Sequence, residues 1–221
     1  MIKQYITASR STALTREAQS LTDKGHRSFN RTHVYVTADD PRQQCFDRSN
    51  AVIPANNFNK AGSLRTIHEC RGFDGFMQDC LQEKDFYRYA DPLADVIITM
   101  AKADNGFSWP FDTNNVTITI ALQNAEQGGD FEYAPGIRAE DENVAEVSKV
   151  LNGTSLRLKV LPLEPGDLQI FRSRSALHRI GTLIGTRPRF VAIFFRCGRA
   201  EHGRRPRADQ TTLRPQPAHP P

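Results

Sequence analysis

The chain has 221 residues, of which 38% are hydrophobic and 24% charged, a composition typical of a soluble globular protein. Its longest apolar runs are strand-sized, so the sequence predicts no transmembrane helix and no binding to a membrane. Residues 1–11 lack the apolar core of a signal peptide, and we therefore expect a cytoplasmic protein.

The net charge of +4 is concentrated at the C-terminus, because residues 196–221 carry six arginines against Glu201 and Asp209. The near-neutral remainder argues against a nucleic-acid-binding core. The tail also holds five of the thirteen prolines. We predict a single domain over residues 1–197 and a disordered Arg/Pro-rich tail over 198–221, which at most binds nucleic acid weakly.

The N-terminal part is predicted to contain two helices. An amphipathic pattern over residues 12–24 ends at Gly25, and residues 73–82 place apolar side chains at helical spacing. Between them, residues 32–37 are β-branched and aromatic, which predicts a strand, whereas residues 39–50 are polar and typical of turns.

From residue 95 onward the pattern is mainly that of β-strands. Alternating or continuous apolar runs predict strands, and a short helix is predicted over 142–151. The predicted strands are residues 96–100, 116–122, 130–133, 156–163, 168–171 and 189–196. Turns are predicted at Gly128-Gly129 and at residues 164–167. With no alternation of strands and helices, this favours a mainly β fold with flanking helices, a double-stranded β-helix (jelly roll, cupin-like).

Three side chains form a pattern that suits metal and cosubstrate binding. Asp112 precedes an alternating strand, and His178 is predicted to follow another. A carboxylate and imidazoles on one face of the metal are the ligands of Fe(II) in non-haem oxygenases. Arg187, nine residues after His178, is predicted to open the last strand, where a guanidinium can clamp a dicarboxylate. Arg189 points to the same side and is the second candidate.

Residues 109–138 and 163–195 resemble the 2-oxoglutarate/Fe(II)-dependent dioxygenase superfamily. The likeness rests on the Gly-Gly-x-Phe-Glu-Tyr turn and strand, the Pro-Gly-Asp turn and the His-to-Arg spacing. Within that superfamily the chain is most similar to a bacterial subgroup of free-amino-acid hydroxylases and lysine halogenases. The resemblance implies Fe(II) and 2-oxoglutarate as cofactor and cosubstrate, with O2 and a small molecule such as an amino acid as substrates.

The same resemblance implies roles for individual residues. Asp112 and His178 would be the catalytic metal ligands, and Arg187, Arg189 and Tyr133 would bind the cosubstrate. The residues expected near the substrate are Trp109, Phe111, Arg138 and Arg65.

One position departs from the family pattern. Where the first iron-binding His is expected, two residues before Asp112, the chain has Pro110, which offers no metal-binding atom. An oxygenase with two protein ligands and a catalytically inactive jelly-roll binding module both remain open. The subgroup's halogenases lack the carboxylate, so Asp112 disfavours halogenation. A weaker third alternative is a metal-free cupin-like structural protein whose tail binds nucleic acid.

Overall fold

The structure, a computed structural model, describes residues 1–33, 45–83, 86–89, 91, 93–103, 109–112, 114–138 and 142–198. Within these residues the chain forms four α-helices and twelve strands. The helices are α1 (Ala8–Ser20), α2 (Ser63–Glu69), α3 (Arg71–Leu81) and α4 (Val144–Leu151). The strands are β1 (His26–His33), β2 (Cys45–Ile53), β3 (Phe86–Arg88), β4 (Val96–Ala101), β5 (Val116–Gln123), β6 (Gln127–Gly128), β7 (Phe131–Ala134), β8 (Lys159–Leu161), β9 (Leu168–Phe171), β10 (Leu177–Ile180), β11 (Leu183–Ile184) and β12 (Arg189–Gly198).

The strands form two facing antiparallel sheets and a short ribbon. The major sheet has the order β1-β2-β4-β12-β5-β9, with β3 also paired to β12. The minor sheet has the order β10-β7-β8, and β11 pairs with β6. Neighbours in the sheets are mostly distant in sequence, as in a jelly roll. The predicted double-stranded β-helix is therefore confirmed.

The outer face of the major sheet carries the main hydrophobic core. Val116, Ile118, Ile120 and Leu122 alternate along β5 and all face this core, together with Phe194 of β12. Leu14 of α1, Leu64 of α2 and Met77 of α3 belong to the same cluster. The three helices thus cover one face of the sheet and leave its other face turned toward the minor sheet.

We call this second side of the major sheet the inner face. Thr117, Thr119 and Ala121 point there, because they alternate with the core residues of β5. Ala121 packs against Phe131 of the minor sheet and Leu163. Three polar or small residues in a row on an otherwise apolar strand make the space between the sheets the place for a polar site.

The outer side of the minor sheet is covered by α4. Asn143 caps this helix, because its side-chain oxygen accepts a hydrogen bond of 3.0 Å from the Glu146 N–H. Val147 and Val150 of α4 then pack against Leu177 of β10.

Several predicted elements differ from the structure. The first helix is α1 and a separate 3-10 turn covers Thr22–Lys24, whereas α2 was not predicted. Part of the segment predicted as polar turns is β2, and residues 34–44 lie outside the described ones. His178 lies inside β10 rather than after a strand.

Two further predictions concern the ends of the chain and the membrane. Residues 199–221 are outside the described part, so the domain boundary and the tail remain predictions. In the part of the chain that the structure describes, no helix has the length and apolar character needed to cross a membrane.

Candidate metal centre

Asp112 and His178 meet between the two sheets. The Asp112 Oδ1 atom lies 3.6 Å from His178 Nε2, and the two side chains are 28% and 13% exposed. The segments that carry them are tied together by backbone hydrogen bonds. The His178 N–H donates to the Pro110 carbonyl at 3.2 Å, and the Asp112 N–H donates to the Ser173 carbonyl at 3.3 Å. The predicted convergence of these two side chains is therefore present in the fold.

The second oxygen of Asp112 is held by a buried hydroxyl. Thr117 Oγ1 lies 2.7 Å from Asp112 Oδ2 and 2.8 Å from Ser173 Oγ. Ser173 Oγ in turn donates to the Asn114 carbonyl at 3.0 Å. Both hydroxyl residues are almost fully buried. Since Oδ2 is occupied by Thr117, Oδ1 is the atom left to face His178.

The His178 ring is oriented by its other nitrogen and by two aromatic rings. Its Nδ1 lies 3.0 Å from the Ala176 carbonyl, which can only accept, so the proton belongs on Nδ1. Phe171 packs edge-on at 5.0 Å between ring centroids, and Phe131 lies at 5.7 Å. In the neutral ring with this proton, the lone pair of Nε2 is directed at Asp112 Oδ1.

This geometry fits a divalent metal ion. Two acceptors that face each other are stabilised by a cation between them. Two ligand atoms that each lie about 2.1 Å from one ion are about 3.0 Å apart when the ligand–metal–ligand angle is about 90°. They are about 3.6 Å apart when that angle is about 120°. The observed 3.6 Å therefore lets one ion contact both atoms without a change in the backbone. Imidazole and carboxylate are two of the three ligands of an Fe(II) facial triad.

Pro110 lies beside the two candidate ligands. Trp109 and Phe111 pack on the cluster beneath α4, outside the minor sheet. Because neighbouring side chains of an extended segment alternate, Pro110 lies on the same side as Asp112. Among the described residues, no group of three His, Cys, Asp or Glu side chains could hold a metal ion. The described residues thus offer two candidate ligands, on a face where a His at position 110 would add a third.

The two candidate arginines differ sharply in their surroundings. Arg187 is exposed, and its guanidinium donates to the Ala125 carbonyl at 2.9 Å while its backbone N–H donates to Glu126 at 3.1 Å. Arg189 is 6% exposed and is the first residue of β12, so this residue, rather than Arg187, opens the last strand. Burial lowers the pKa of Arg189 to about 10, although the charge of Asp130 partly raises it.

The Arg189 side chain lies on the inner face. Its neighbours Phe190 and Ala192 point into the helix-side core, so Arg189 points the other way. A Cβ on Gly129, whose φ is +76°, would come within 3.2 Å of Arg189 Cδ, so a glycine lets the arginine pass. Arg189 makes no side-chain hydrogen bond to any described residue. A buried charge without such a partner is costly unless a ligand supplies one.

Arg189 lies deeper between the sheets than Asp112, because β12 begins beside the C-terminal end of β5 whereas Asp112 contacts Thr117 near its N-terminal end. Asp130 is close enough for its charge to act on Arg189, and its carbonyl accepts a backbone hydrogen bond of 2.9 Å from Gly181. Tyr133, paired with His178 in the minor sheet, is three residues further along, or about 10 Å. An extended dicarboxylate and an arginine side chain together bridge such a distance. Of the two arginines, Arg189 is therefore the one that the fold buries between the sheets.

The predicted substrate residues are only partly near this site. Tyr133 lies on the inner side, stacked on Phe131 at 5.6 Å. Trp109 is buried beneath α4 with the Arg179 guanidinium 4.5 Å from its ring centroid. The minor sheet separates Trp109 from the inner face, and its place beside the substrate stays a prediction.

Phe111, Arg138 and Arg65 also have structural partners. The Arg138 guanidinium lies 3.9 Å from the Phe111 ring centroid and pairs with Glu142 at 2.8 Å. Phe111 packs on the cluster beneath α4, which directs its ring away from His178. Arg65 on α2 pairs with Asp95 at 2.7 Å, among the helices on the opposite side of the major sheet. Arg65 therefore lies apart from Asp112 and His178, and its role near a substrate stays a prediction.

Four inner-face polar residues were not predicted from the sequence. Thr117 and Ser173 hold Asp112, and Thr119 Oγ1 donates to Gln169 Oε1 at 3.0 Å. The alternation of threonines with aliphatic residues along β5 was a usable signal for Thr117 and Thr119. No local pattern marks Ser173 or Gln169.

The chain is similar in fold to solved oxygenase structures. A prolyl-4-hydroxylase from Pseudomonas putida has 12% identity and a TM-score of 0.55, with 88% of this chain and 90% of that chain covered. HygX from Streptomyces hygroscopicus, solved with nickel, 2-oxoglutarate and hygromycin B, has 11% identity and a TM-score of 0.56, with 89% and 81% covered. AviO1 from Streptomyces viridochromogenes has 16% identity and a TM-score of 0.57, with 86% and 84% covered.

At these identities the likeness establishes the fold alone. No curated protein matches the chain. The family model described as HalD, Halogenase D, matches residues 1–208, nearly the whole sequence. The chain therefore belongs to the Halogenase D family.

Proposed function

We propose that this protein is an Fe(II)- and 2-oxoglutarate-dependent oxygenase that hydroxylates a small substrate, with an amino acid as the substrate class. The observation that carries the proposal is the convergence of Asp112 Oδ1 and His178 Nε2 at 3.6 Å between two sheets. Family membership and the jelly-roll fold support it.

Each residue near the site has a task in this proposal. Asp112 and His178 would hold Fe(II), and Thr117 would keep the second carboxylate oxygen from turning away. Arg189 would bind the distal carboxylate of 2-oxoglutarate, and Tyr133 would lie beside it. When bound, the iron and 2-oxoglutarate supply the oxidising chemistry, with succinate and CO2 as products.

The same residues favour hydroxylation over halogenation, although the family takes its name from a halogenase. The subgroup's halogenases lack the metal-binding carboxylate, as the sequence resemblance implies. Here the Asp112 carboxylate is present and directed at His178, so it would take the metal coordination position that a halide needs.

A catalytically inactive binding module is the second candidate. The described residues offer two protein ligands to a metal, and Pro110 stands where the third belongs. Loss of a ligand lowers metal affinity. The inner face would then bind a carboxylate through Arg189 without turnover.

Fe(II)-dependent formation of succinate from 2-oxoglutarate separates the two candidates. The assay compares the wild-type chain with Pro110→His, which adds the third ligand without removing a hydrogen-bond donor, since proline has no N–H. Turnover by the wild type supports the oxygenase. Turnover by Pro110→His alone supports the binding module.

Two controls define what the turnover means. Adding Asp112→Ala to Pro110→His should abolish succinate formation, because the carboxylate ligand is lost. Arg187→Ala should leave turnover nearly unchanged, because that guanidinium contacts the Ala125 carbonyl at the surface. If neither the wild type nor Pro110→His forms succinate and neither binds a metal ion, the proposal of a metal site is refuted.

A further inference from the structure

A buried polar side chain with an unpaired oxygen lies in the same row of the major sheet as Arg189. Asn50 on β2 is 5% exposed. Its neighbours Ala51 and Ile53 point into the helix-side core, so Asn50 points to the inner face. The buried Asn50 Oδ1 atom has no hydrogen-bond partner. A carbonyl oxygen left this way costs about 1–3 kcal/mol.

The sheet register places Asn50 close to Arg189. Both residues are Cα partners of Ala101, Asn50 from β2 and Arg189 from β12. Their Cα atoms are therefore two strand spacings apart, about 10 Å. In the described part of the sheet, the residue between them is Ala101, which packs with Ala125 and Leu183. Its side chain is a single methyl group, which leaves room between Asn50 and Arg189.

Neither polar end is held by the protein itself. Among the described residues, neither the Asn50 amide nor the Arg189 guanidinium makes a side-chain hydrogen bond. The oxygen and nitrogen of an asparagine side chain exchange places by a half-turn, which here breaks no bond to a described residue. Asn50 is thus free to present either a donor or an acceptor toward Arg189.

We propose that Asn50 is a specificity-determining residue that donates an N–H to the same ligand carboxylate that Arg189 binds. The inference rests on the proposed function and adds to it the selection of a dicarboxylate over a monocarboxylate. The Arg189 guanidinium supplies a positive charge opposite the distal carboxylate. The Asn50 amide donates a hydrogen bond to that carboxylate from a different direction. Two partners at an angle favour a planar carboxylate group over a neutral chain end.

Titration calorimetry on the full chain with Mn(II), which suppresses turnover, tests the proposal. The two probes are 2-oxoglutarate and 2-oxopentanoate, which differ only in the distal carboxylate. Asn50→Ala should reduce the preference for 2-oxoglutarate by about tenfold, the effect of one hydrogen bond to a charged group. Asn50→Asp should reduce it further, because its charge repels the ligand. Exposed Asn152 gives the matched control, Asn152→Ala, which should bind both probes like the wild type.

Thermal unfolding without ligand provides the second readout. Asn50→Ala should unfold at the same or a higher temperature than the wild type, because it removes an unsatisfied buried group. Equal loss of affinity for both probes, together with lower stability, would mean a structural role and overturn the proposal.

The remaining outcomes separate this inference from the proposed function. An unchanged preference in Asn50→Ala, with the preference lost in Arg189→Met, overturns the role of Asn50 and leaves the proposed function intact. Failure of the wild type to bind 2-oxoglutarate at all overturns both.

Discussion

Replacing Thr117 by valine removes one hydroxyl from behind the metal site and keeps the shape of the side chain. Thr117 Oγ1 lies 2.7 Å from Asp112 Oδ2, and this contact leaves Oδ1 directed at His178. Ser173 keeps its own bond to the Asn114 carbonyl in the variant. The substitution therefore acts mainly on the orientation of the carboxylate.

The expected loss follows from that single contact. A hydrogen bond to a charged group contributes about 1.5–3 kcal/mol, which corresponds to about 10- to 100-fold in affinity. Loss of an outer-shell partner of a metal ligand has a cost of the same size. We expect Thr117→Val to weaken Mn(II) binding by this factor while the fold stays intact.

The assay is a Mn(II) titration with circular dichroism on the same samples. Thr119→Val is the matched control, since Thr119 lies on the same strand and face but donates to Gln169 at 3.0 Å. It should leave metal affinity unchanged. Equal metal affinities for Thr117→Val and the wild type, or equal losses in both variants, would refute the orienting role of Thr117.

Three further predictions concern stability. Burial would raise the pKa of Asp167, but hydrogen bonds from Lys3 and two backbone N–H groups lower it overall. The ionised carboxylate therefore stabilises the folded state above about pH 4, and this stabilisation is lost as the pH falls through the lowered pKa. Asp167→Asn should therefore be less stable than the wild type near pH 7 in urea unfolding, with the difference shrinking below about pH 4; a constant difference would contradict this. Phe194→Ala should cost about 3–5 kcal/mol in the same assay, because the ring is fully buried in the main core; a loss under about 1 kcal/mol would be inconsistent with that packing. Gly129→Ala should lower the melting temperature, because φ is +76° and the new methyl meets Arg189; an unchanged melting temperature would show that the turn tolerates a side chain.

The strands near the site could be predicted because their hydrophobic patterns are local. The alternation in β5 and the apolar run of β4 give both elements within one or two residues. By contrast, β2 contains Asp47, Arg48 and Asn50, which read as turn residues. It is a strand because its backbone pairs with β1 and β4 on either side, and that pairing is not visible in the segment itself.

The convergence of the two candidate ligands could be predicted, but their surroundings could not. Asp112 and His178 were identified by residue type and by family resemblance, and the fold brings them together. The choice between Arg187 and Arg189 depended on which side chain is buried between the sheets, and this burial is not visible in the local sequence. Trp109 was expected beside the substrate, whereas α4 provides a buried place for it that no local pattern indicates.

The central claim is that Asp112 and His178 are two of the three protein ligands of an iron site, and that the third ligand is missing at position 110. The most direct measurement is the dissociation constant for Mn(II) of the wild type, Pro110→His and Pro110→His with Asp112→Ala. We predict that Pro110→His binds Mn(II) more than about 100-fold more tightly than the wild type, because a direct ligand should contribute more than the roughly 10- to 100-fold of an outer-shell partner. This gain should disappear when Asp112 is also replaced by alanine. Equal affinity of the wild type and Pro110→His, or a gain that survives the loss of Asp112, would contradict the claim.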